Sequence, residues 1–254
     1  MYGKNYLILM ISKRRTVCMN ILITGSNRGI GLALVKSFLK EKALVIAACR
    51  NPEKTGELIK LKREHEGSLE IVCCDVADDN SVSACAKEAG SYVTGLDILI
   101  NNAAIYPKPN EERLEEIALK KITDAINTNT IGPMRMTKAF LGLLKKGDNP
   151  RVVNISSGAG SISKLMAPAP SYGYAISKAA MNMATRSMAG DLKAYGITVV
   201  SVSPGWVQTD MGGSNASISP QESAESITAT VLNLNIDKAS LWLNRQGQEA
   251  EWAW

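Results

Sequence analysis

Short apolar runs that alternate with longer helical segments are the feature that most constrains the fold of this chain. Six runs rich in β-branched residues are bounded by turn-forming or charged residues, as expected of strands buried on both faces. Alternation of such strands with helices indicates parallel βαβ units. The predicted strands are Asn20 to Thr24, Ala43 to Cys49, Leu69 to Cys74, Leu96 to Ile100, Arg151 to Ile155 and Ile197 to Val202. The predicted helices are Ile30 to Lys42, Pro52 to His65, Asn80 to Tyr92, Arg113 to Lys146 and Tyr174 to Tyr195.

No linker rich in Pro, Gly or Ser divides the 254 residues. The pattern therefore predicts one α/β domain, a Rossmann-type doubly wound parallel sheet with right-handed crossovers. Residues 1–18 contain no acidic side chain, and their apolar stretch Tyr6 to Ile11 is too short to span a bilayer. We expect residues 1–18 to be a poorly ordered extension and residues 19–254 to form the folded, cofactor-binding domain.

Composition excludes several classes of function. The formal net charge is +5, but Lys4, Lys13, Arg14 and Arg15 lie in the extension, so a nucleic-acid partner is not indicated for the folded body. Five cysteines show no CxxC spacing and the chain has a single histidine, so no metal site is expected. We expect a reduced, cytoplasmic protein without a membrane span.

A glycine-rich turn, TGSNRGIG from Thr24 to Gly31, joins the first predicted strand to the first helix. Glycines at these places allow a tight turn, close approach of a phosphate and helix packing, and the helix N-terminus favours a pyrophosphate. The turn predicts a dinucleotide cofactor. Its candidate contacts are Gly25, Ser26, Asn27, Arg28, Gly29, Ile30 and Gly31.

Arg50, at the end of the second predicted strand, indicates which dinucleotide binds. An acidic residue there would hold a ribose 2′-hydroxyl, whereas a guanidinium pairs with a 2′-phosphate. Arg28 adds a second cation, so NADP(H) is favoured over NAD(H). The alternative is that Arg50 only solvates a strand end. Asp75, after the third strand, is placed to contact the adenine.

Tyr174 and Lys178 stand four residues apart on one predicted helix face. Reduction of a carbonyl needs a proton donor, and a cation roughly 6 Å from a phenolate favours ionisation by about 3 kcal/mol at an effective dielectric near 20. We therefore expect Lys178 to lower the pKa of Tyr174. Ser157, at the end of the fifth strand, is the candidate partner of the carbonyl oxygen, with Ser156 as the alternative.

Seven motifs in order resemble the short-chain dehydrogenase/reductase family, and in detail its sniffer-like and C-factor-like carbonyl reductases. Beyond the glycine turn they are CDV at Cys74 to Val76, NNAA at Asn101 to Ala104, NTIG at Asn129 to Gly132, NISS at Asn154 to Ser157, YAISK at Tyr174 to Lys178 and PGWVQTDMGG at Pro204 to Gly213. The resemblance extends from about Met19 to Trp252.

This resemblance implies NADPH-dependent reduction of a ketone or aldehyde by a homodimer or homotetramer. It assigns the oxygen-binding role to the second serine, Ser157, and a water-holding proton relay to Asn129, with Asn127 as the less favoured neighbour. Asn129 could equally satisfy a helix distortion. Tyr174 and Lys178 also become cofactor contacts, and the further implied contacts are Val76, Asn101, Ala103, Pro204, Val207 and Thr209.

Two departures from the family pattern concern the site. Ala104 stands where glycine is usual, and the stretch between Ser157 and Tyr174, which contains Pro168 and Pro170, is longer than is common. The segment Pro204 to Pro220 follows the sixth strand, and we expect it to form a lid over the substrate rather than a solvated connector.

Two other classes of function fit parts of the sequence. A serine hydrolase needs a histidine, and His65 lies in a charged segment typical of a solvated surface. A non-catalytic NADP(H)-binding sensor would keep the fold and the cofactor without turnover, and it remains the alternative.

Overall fold

Parallel strands form the centre of the molecule in a computed structural model that describes residues 19–107, 114–164, 171–238 and 241–250. The predicted extension at 1–18, the Pro168 and Pro170 stretch, and Trp252 lie outside the described residues. Within the described ranges, no helix combines the length and the apolar character that a bilayer-crossing segment requires.

The sheet has seven strands in the order β3-β2-β1-β4-β5-β6-β7, and all neighbouring strands are parallel. The strands are β1 Asn20–Thr24, β2 Leu44–Cys49, β3 Leu69–Cys73, β4 Ile98–Asn101, β5 Arg151–Ile155, β6 Thr198–Ser203 and β7 Trp242–Asn244. The strand order reverses between β1 and β4, which is the topological switch point of a doubly wound sheet. The predicted fold class and the six predicted strands are therefore confirmed.

Helices cover both faces of the sheet. They are α1 Gly29–Lys40, α2 Gly56–Glu64, α3 Asp79–Tyr92, α4 Leu119–Ile126, α5 Gly132–Leu144, α6 Tyr172–Leu192 and α7 Pro220–Leu232. The single long helix predicted from Arg113 to Lys146 is wrong in two respects: among the described residues helix begins at Leu119, and the helix is interrupted. A π-helical segment, Asn127–Ile131, separates α4 from α5, and a wider turn of this kind leaves no mark in the apolar periodicity.

Alternating side chains of each strand enter two separate cores. Ile21 and Ile23 of β1 lie in the core beneath α1 and α7, whereas Leu22 lies in the opposite core with α3 and α5, and all three are fully buried. Burial on both faces explains why the strands are almost continuous apolar runs. It also leaves the carboxyl ends of the strands as the place where polar side chains can gather.

Candidate active site

A cavity of about 820 Å³ lies along the carboxyl ends of the strands. Sixteen of the predicted site residues line it: Gly25, Asn27, Arg28, Gly29, Ile30, Gly31, Arg50, Asp75, Val76, Ala103, Ser157, Tyr174, Lys178, Pro204, Val207 and Thr209. Ser26, Asn101 and Asn129 are buried behind its wall. The structure thus brings most of the predicted residues together at one edge of the sheet.

The glycine turn has the backbone geometry that only glycine adopts easily. Gly25 and Gly29 have φ angles of +63° and +53°. A Cβ at Gly25 would lie 2.8 Å from the Cα of Ala103, and one at Gly29 would lie 3.2 Å from Cγ2 of Thr209. The backbone therefore forms a narrow cradle at the start of α1, and a pyrophosphate fits such a cradle.

Asn102 holds this cradle in place, a role that the sequence analysis did not assign. Its Nδ2 donates to the carbonyl oxygens of Thr24 at 2.9 Å and Gly25 at 3.1 Å. The Thr24 hydroxyl in turn accepts from the amides of Asn102 and Ala103, both at 3.0 Å. The end of β1 is thereby fastened to the end of β4. The family motif NNAA contained this signal, but the motif alone did not separate the two asparagines.

Asn101 and Ser26 support the cavity from behind. Asn101 donates from Nδ2 to Oδ1 of Asn154 at 2.9 Å, which links β4 to β5, and Ser26 donates from Oγ to the carbonyl of Ala48 at 3.0 Å. Both contacts fix the strand ends from which cavity residues project. Their predicted direct contact with a cofactor remains a prediction.

Cationic side chains lie at the end of the cavity formed by β2 and the glycine turn. Arg50 is exposed directly after β2, and Arg28 pairs with the Asp210 carboxylate of the segment after β6. That pair is solvent-exposed, with 67% of the Arg28 side chain accessible. An exposed ion pair of this kind is weak, so the guanidinium of Arg28 can exchange partners.

Ser157, Tyr174 and Lys178 meet at the other end of the cavity. Lys178 is 3% exposed, and its Nζ donates to the carbonyl of Ile155 at 2.7 Å. The same Nζ lies 5.6 Å from the centre of the Tyr174 ring. Ser157 lies beside the Tyr174 phenol, and its hydroxyl favours the ionised form of that phenol. One hydroxyl, one phenol and one amine are therefore brought together between the carboxyl end of β5 and the first two turns of α6.

The pKa of Tyr174 is raised, whereas the sequence predicts that it is lowered. Burial raises it to about 12, a hydrogen bond from Ser157 opposes the rise, and the neighbouring Tyr106 adds to it. Burial also lowers the pKa of Lys178 to about 7. Burial thus disfavours the charged forms of both the phenol and the amine, and for Tyr174 it outweighs the lowering that the helical spacing predicts.

Geometry separates the two candidate serines. Ser156 is buried and its Oγ donates to Oδ1 of Asn182 at 2.6 Å, away from the phenol. Ser157 instead reaches Tyr174, and its Oγ accepts from the amide of Ala159 at 3.2 Å.

Asn129 and Asn127 project from the π-helical segment toward different loops. Asn129 is 1% exposed, exchanges hydrogen bonds with the backbone of Ile105 at 2.8 and 2.9 Å, and donates to Oγ of Ser177 at 2.9 Å. Asn127 donates to the carbonyl of Ala77 at 3.1 Å. Asn129 thus satisfies the backbone beside the cavity, and its relay role remains a prediction.

Two aromatic side chains that the sequence analysis missed line the cavity, and one of them, Tyr106, lies beside Tyr174. The Tyr106 ring meets the Tyr174 ring edge-on, with centroids 5.0 Å apart and an interplanar angle of 69°. Trp206 lines the same cavity, and its Nε1 donates to the carbonyl of Gly212 at 2.8 Å. These contacts place part of the Pro204 to Pro220 segment along the cavity.

Comparison with protein families gives one clear match. The model described as short chain dehydrogenase matches residues 19–219. Among curated proteins, the C-signal of Myxococcus xanthus is 35% identical over 165 residues, which cover 65% of this chain and 98% of that protein. An uncharacterised oxidoreductase of Schizosaccharomyces pombe is 30% identical over 247 residues, which cover 89% of this chain and 94% of that protein.

Two solved structures resemble the chain over nearly their whole length. The NADPH-bound carbonyl reductase from chicken fatty liver is 35% identical, with a TM-score of 0.86 over 92% of this chain and 99% of that one. The carbonyl reductase Sniffer of D. melanogaster is 33% identical, with a TM-score of 0.87 over 92% of this chain and 100% of that one.

The buried amine of Lys178 makes a prediction about stability. Its folded-state pKa of about 7 lies below the ordinary value of 10.5, so the unfolded chain binds more protons between these values and stability rises with pH. Between about pH 7 and about pH 9, the free energy of unfolding should rise by about 2 kcal/mol more in the native chain than in Lys178→Met. Denaturant titrations at several pH values measure this difference, and parallel profiles for the two proteins would contradict it.

Proposed function

Because the chain belongs to the short-chain dehydrogenase family, we propose that it is an NADP(H)-dependent oxidoreductase that reduces the carbonyl of a ketone or aldehyde. The observation that carries this proposal is the meeting of Ser157, Tyr174 and Lys178 in the same cavity as the glycine cradle. The NADPH-bound carbonyl reductase from chicken fatty liver, similar over nearly its whole length, supports it.

Different groups of cavity residues would bind different parts of NADP(H). The amides of the glycine turn would bind the pyrophosphate, Arg50 and Arg28 the 2′-phosphate, and Asp75 with Val76 the adenosine. When bound, the nicotinamide supplies the hydride. The remaining chemistry belongs to the side chains of the chain itself.

Tyr174 is the proposed proton donor. With its pKa raised to about 12, the phenol is protonated at neutral pH, which is the state required to donate to an oxygen that gains negative charge. The Ser157 hydroxyl would donate a hydrogen bond to the same oxygen. Lys178, whose Nζ is fixed on the carbonyl of Ile155, would favour the phenolate left behind after proton transfer.

Tyr174→Phe tests this assignment because it removes only the hydroxyl. With NADPH and a panel of ketones, aldehydes and diketones, we expect kcat to fall at least about 100-fold, within the range for loss of an acid catalyst. The Kd of NADPH should remain within about threefold of the native value. Tyr195→Phe, on the exposed side of the molecule, is the matched control and should keep native kcat. Tight NADPH binding without any consumption by the native chain would instead favour the sensor.

Arg50→Asp tests the choice of cofactor. The substitution removes a partner of the 2′-phosphate and adds repulsion, so the ratio of kcat/KM for NADPH to that for NADH should fall at least about tenfold. Arg63→Asp makes the same charge change on exposed α2, outside the cavity lining, and should leave the ratio unchanged. An equal ratio in native and Arg50→Asp enzymes would refute the role of Arg50.

We also propose that the chain self-associates. Met136 and Met181 are core residues, whereas Met134 on α5, Met183 on α6 and Ile176 on α6 are exposed apolar side chains. Ile176 and Met183 are seven residues apart and share one helix face. We propose that this outer face of α5 and α6 joins subunits in a homodimer or homotetramer.

Sedimentation velocity should show a dimer or tetramer for the native chain and a shift toward monomer for Met183→Asp, since a buried unpaired carboxylate disfavours association. Met211→Asp, an exposed methionine of the segment after β6, provides the control and should sediment like the native chain. A native chain that sediments only as a monomer would exclude this assembly.

A further inference from the structure

Arg135 on α5 connects three separate elements through one guanidinium group. Its Nε donates to Oδ1 of Asp79 at 2.6 Å, its Nη1 to the carbonyl of Val76 at 2.7 Å, and its Nη2 to Oδ1 of Asn127 at 3.2 Å. Only 13% of the side chain is exposed, although the Asp79 carboxylate itself faces solvent. The planar donors of arginine suit these three directions, whereas a lysine ammonium would be a single point charge.

A second side chain, Asn127, also holds the loop after β3. Asn127 accepts from Arg135 with its oxygen and donates from Nδ2 to the carbonyl of Ala77 at 3.1 Å. Two consecutive carbonyls of that loop, those of Val76 and Ala77, are therefore held from the first turn of α5 and from the start of the π-helical segment. A Cβ on Gly132 would lie 3.1 Å from Cγ2 of Val76, so glycine allows this close approach.

The loop held in this way forms part of the cavity wall. Asp75, Val76 and Ala77 all line the cavity. Asp75 accepts the amide of Ala77 on Oδ1 at 2.9 Å, and its own amide donates to Oγ of Ser81 at 2.8 Å. The loop follows β3, whose last residue Cys73 is in register with Cys49 at the end of β2, directly before Arg50. Arg135 thus lies outside the cavity lining and holds the loop at the end of the cavity that carries Arg50.

We propose that Arg135 is a positioning residue for the adenosine half of the dinucleotide. The inference rests on the proposed function, since it concerns the same cofactor site. Arg135 holds the carbonyls of Val76 and Ala77 outward, directly and through Asn127, so that the Asp75 to Ala77 backbone keeps the conformation that faces the adenosine. The nicotinamide end, around Tyr174 and Ser157, does not depend on these contacts.

The experiment measures binding of two half-cofactors as well as NADPH. Adenosine 2′,5′-bisphosphate represents one half and reduced nicotinamide mononucleotide the other. In Arg135→Met, the Kd values of NADPH and of adenosine 2′,5′-bisphosphate should both rise about tenfold, while the Kd of reduced nicotinamide mononucleotide should stay at the native value. Arg135→Lys, which keeps the charge without the fork, should recover only part of the loss.

Arg151 provides a matched control at the amino ends of the strands, on the side of the sheet opposite the cavity. Its buried guanidinium also holds backbone carbonyls, those of Leu234 at 3.1 Å and Leu232 at 3.4 Å, but at the start of β5. Arg151→Met should lower the unfolding midpoint and leave all three Kd values unchanged. If Arg135→Met folds poorly, Asn127→Ala removes the contact to Ala77 and should show the same selective loss.

Three results have distinct meanings. Unchanged binding of adenosine 2′,5′-bisphosphate in both Arg135→Met and Asn127→Ala would overturn the positioning role. An equal loss for both half-cofactors would also overturn it, since the two side chains would then only maintain the fold. Failure of the native chain to bind NADPH would instead refute the proposed function itself.

Discussion

A hydrogen bond from the buried amine of Lys178 to the carbonyl of Ile155 joins helix α6 to the end of strand β5, next to the bonds from Asn154 to Thr185 and from Ser156 to Asn182. Burial of an amine opposes folding, because desolvation disfavours its charged form, as the lowered pKa shows. In return, Tyr174 and Ser157 are fixed on two different elements within hydrogen-bonding reach of each other. The Tyr174 end of the cavity therefore exists at a cost in stability, a relation that is common between active sites and the folds that carry them.

The π-helical segment Asn127–Ile131 has a comparable role between the two ends of the cavity. Asn129 satisfies the backbone of Ile105 on the side of Tyr106 and Tyr174, and Asn127 holds the loop on the side of Arg50. In an ordinary α-helix, side chains two residues apart are rotated by about 200° around the helix axis, and the wider π-helical turn changes this rotation. Both asparagines thus lie where the helix is distorted, and both amides meet backbone groups of neighbouring loops.

Strands, fold class and the glycine turn could be predicted because each depends on local residue types: apolar runs for buried strands and glycines for positive φ angles. β7 was missed since it has only three residues, and the break between α4 and α5 was missed since it preserves the apolar pattern. The roles of Asn102, Tyr106 and Arg135 could not be predicted because they depend on residues distant in sequence. The direction of the Tyr174 pKa was wrong for the same reason: spacing along a helix reveals a nearby amine but not its burial.

At the mouth of the cavity, the Asp210 carboxylate already serves as the counter-ion of Arg28. A phosphate that bound Arg28 would have to exchange with this carboxylate, so less net charge would be neutralised than the number of arginines suggests. Asp210 belongs to the segment after β6, next to Thr209, whose Cγ2 lies 3.2 Å from where a Cβ on Gly29 would stand. Binding of an anion at the turn would therefore affect the same ion pair that this segment makes, and dissolved salt would compete in the same equilibrium.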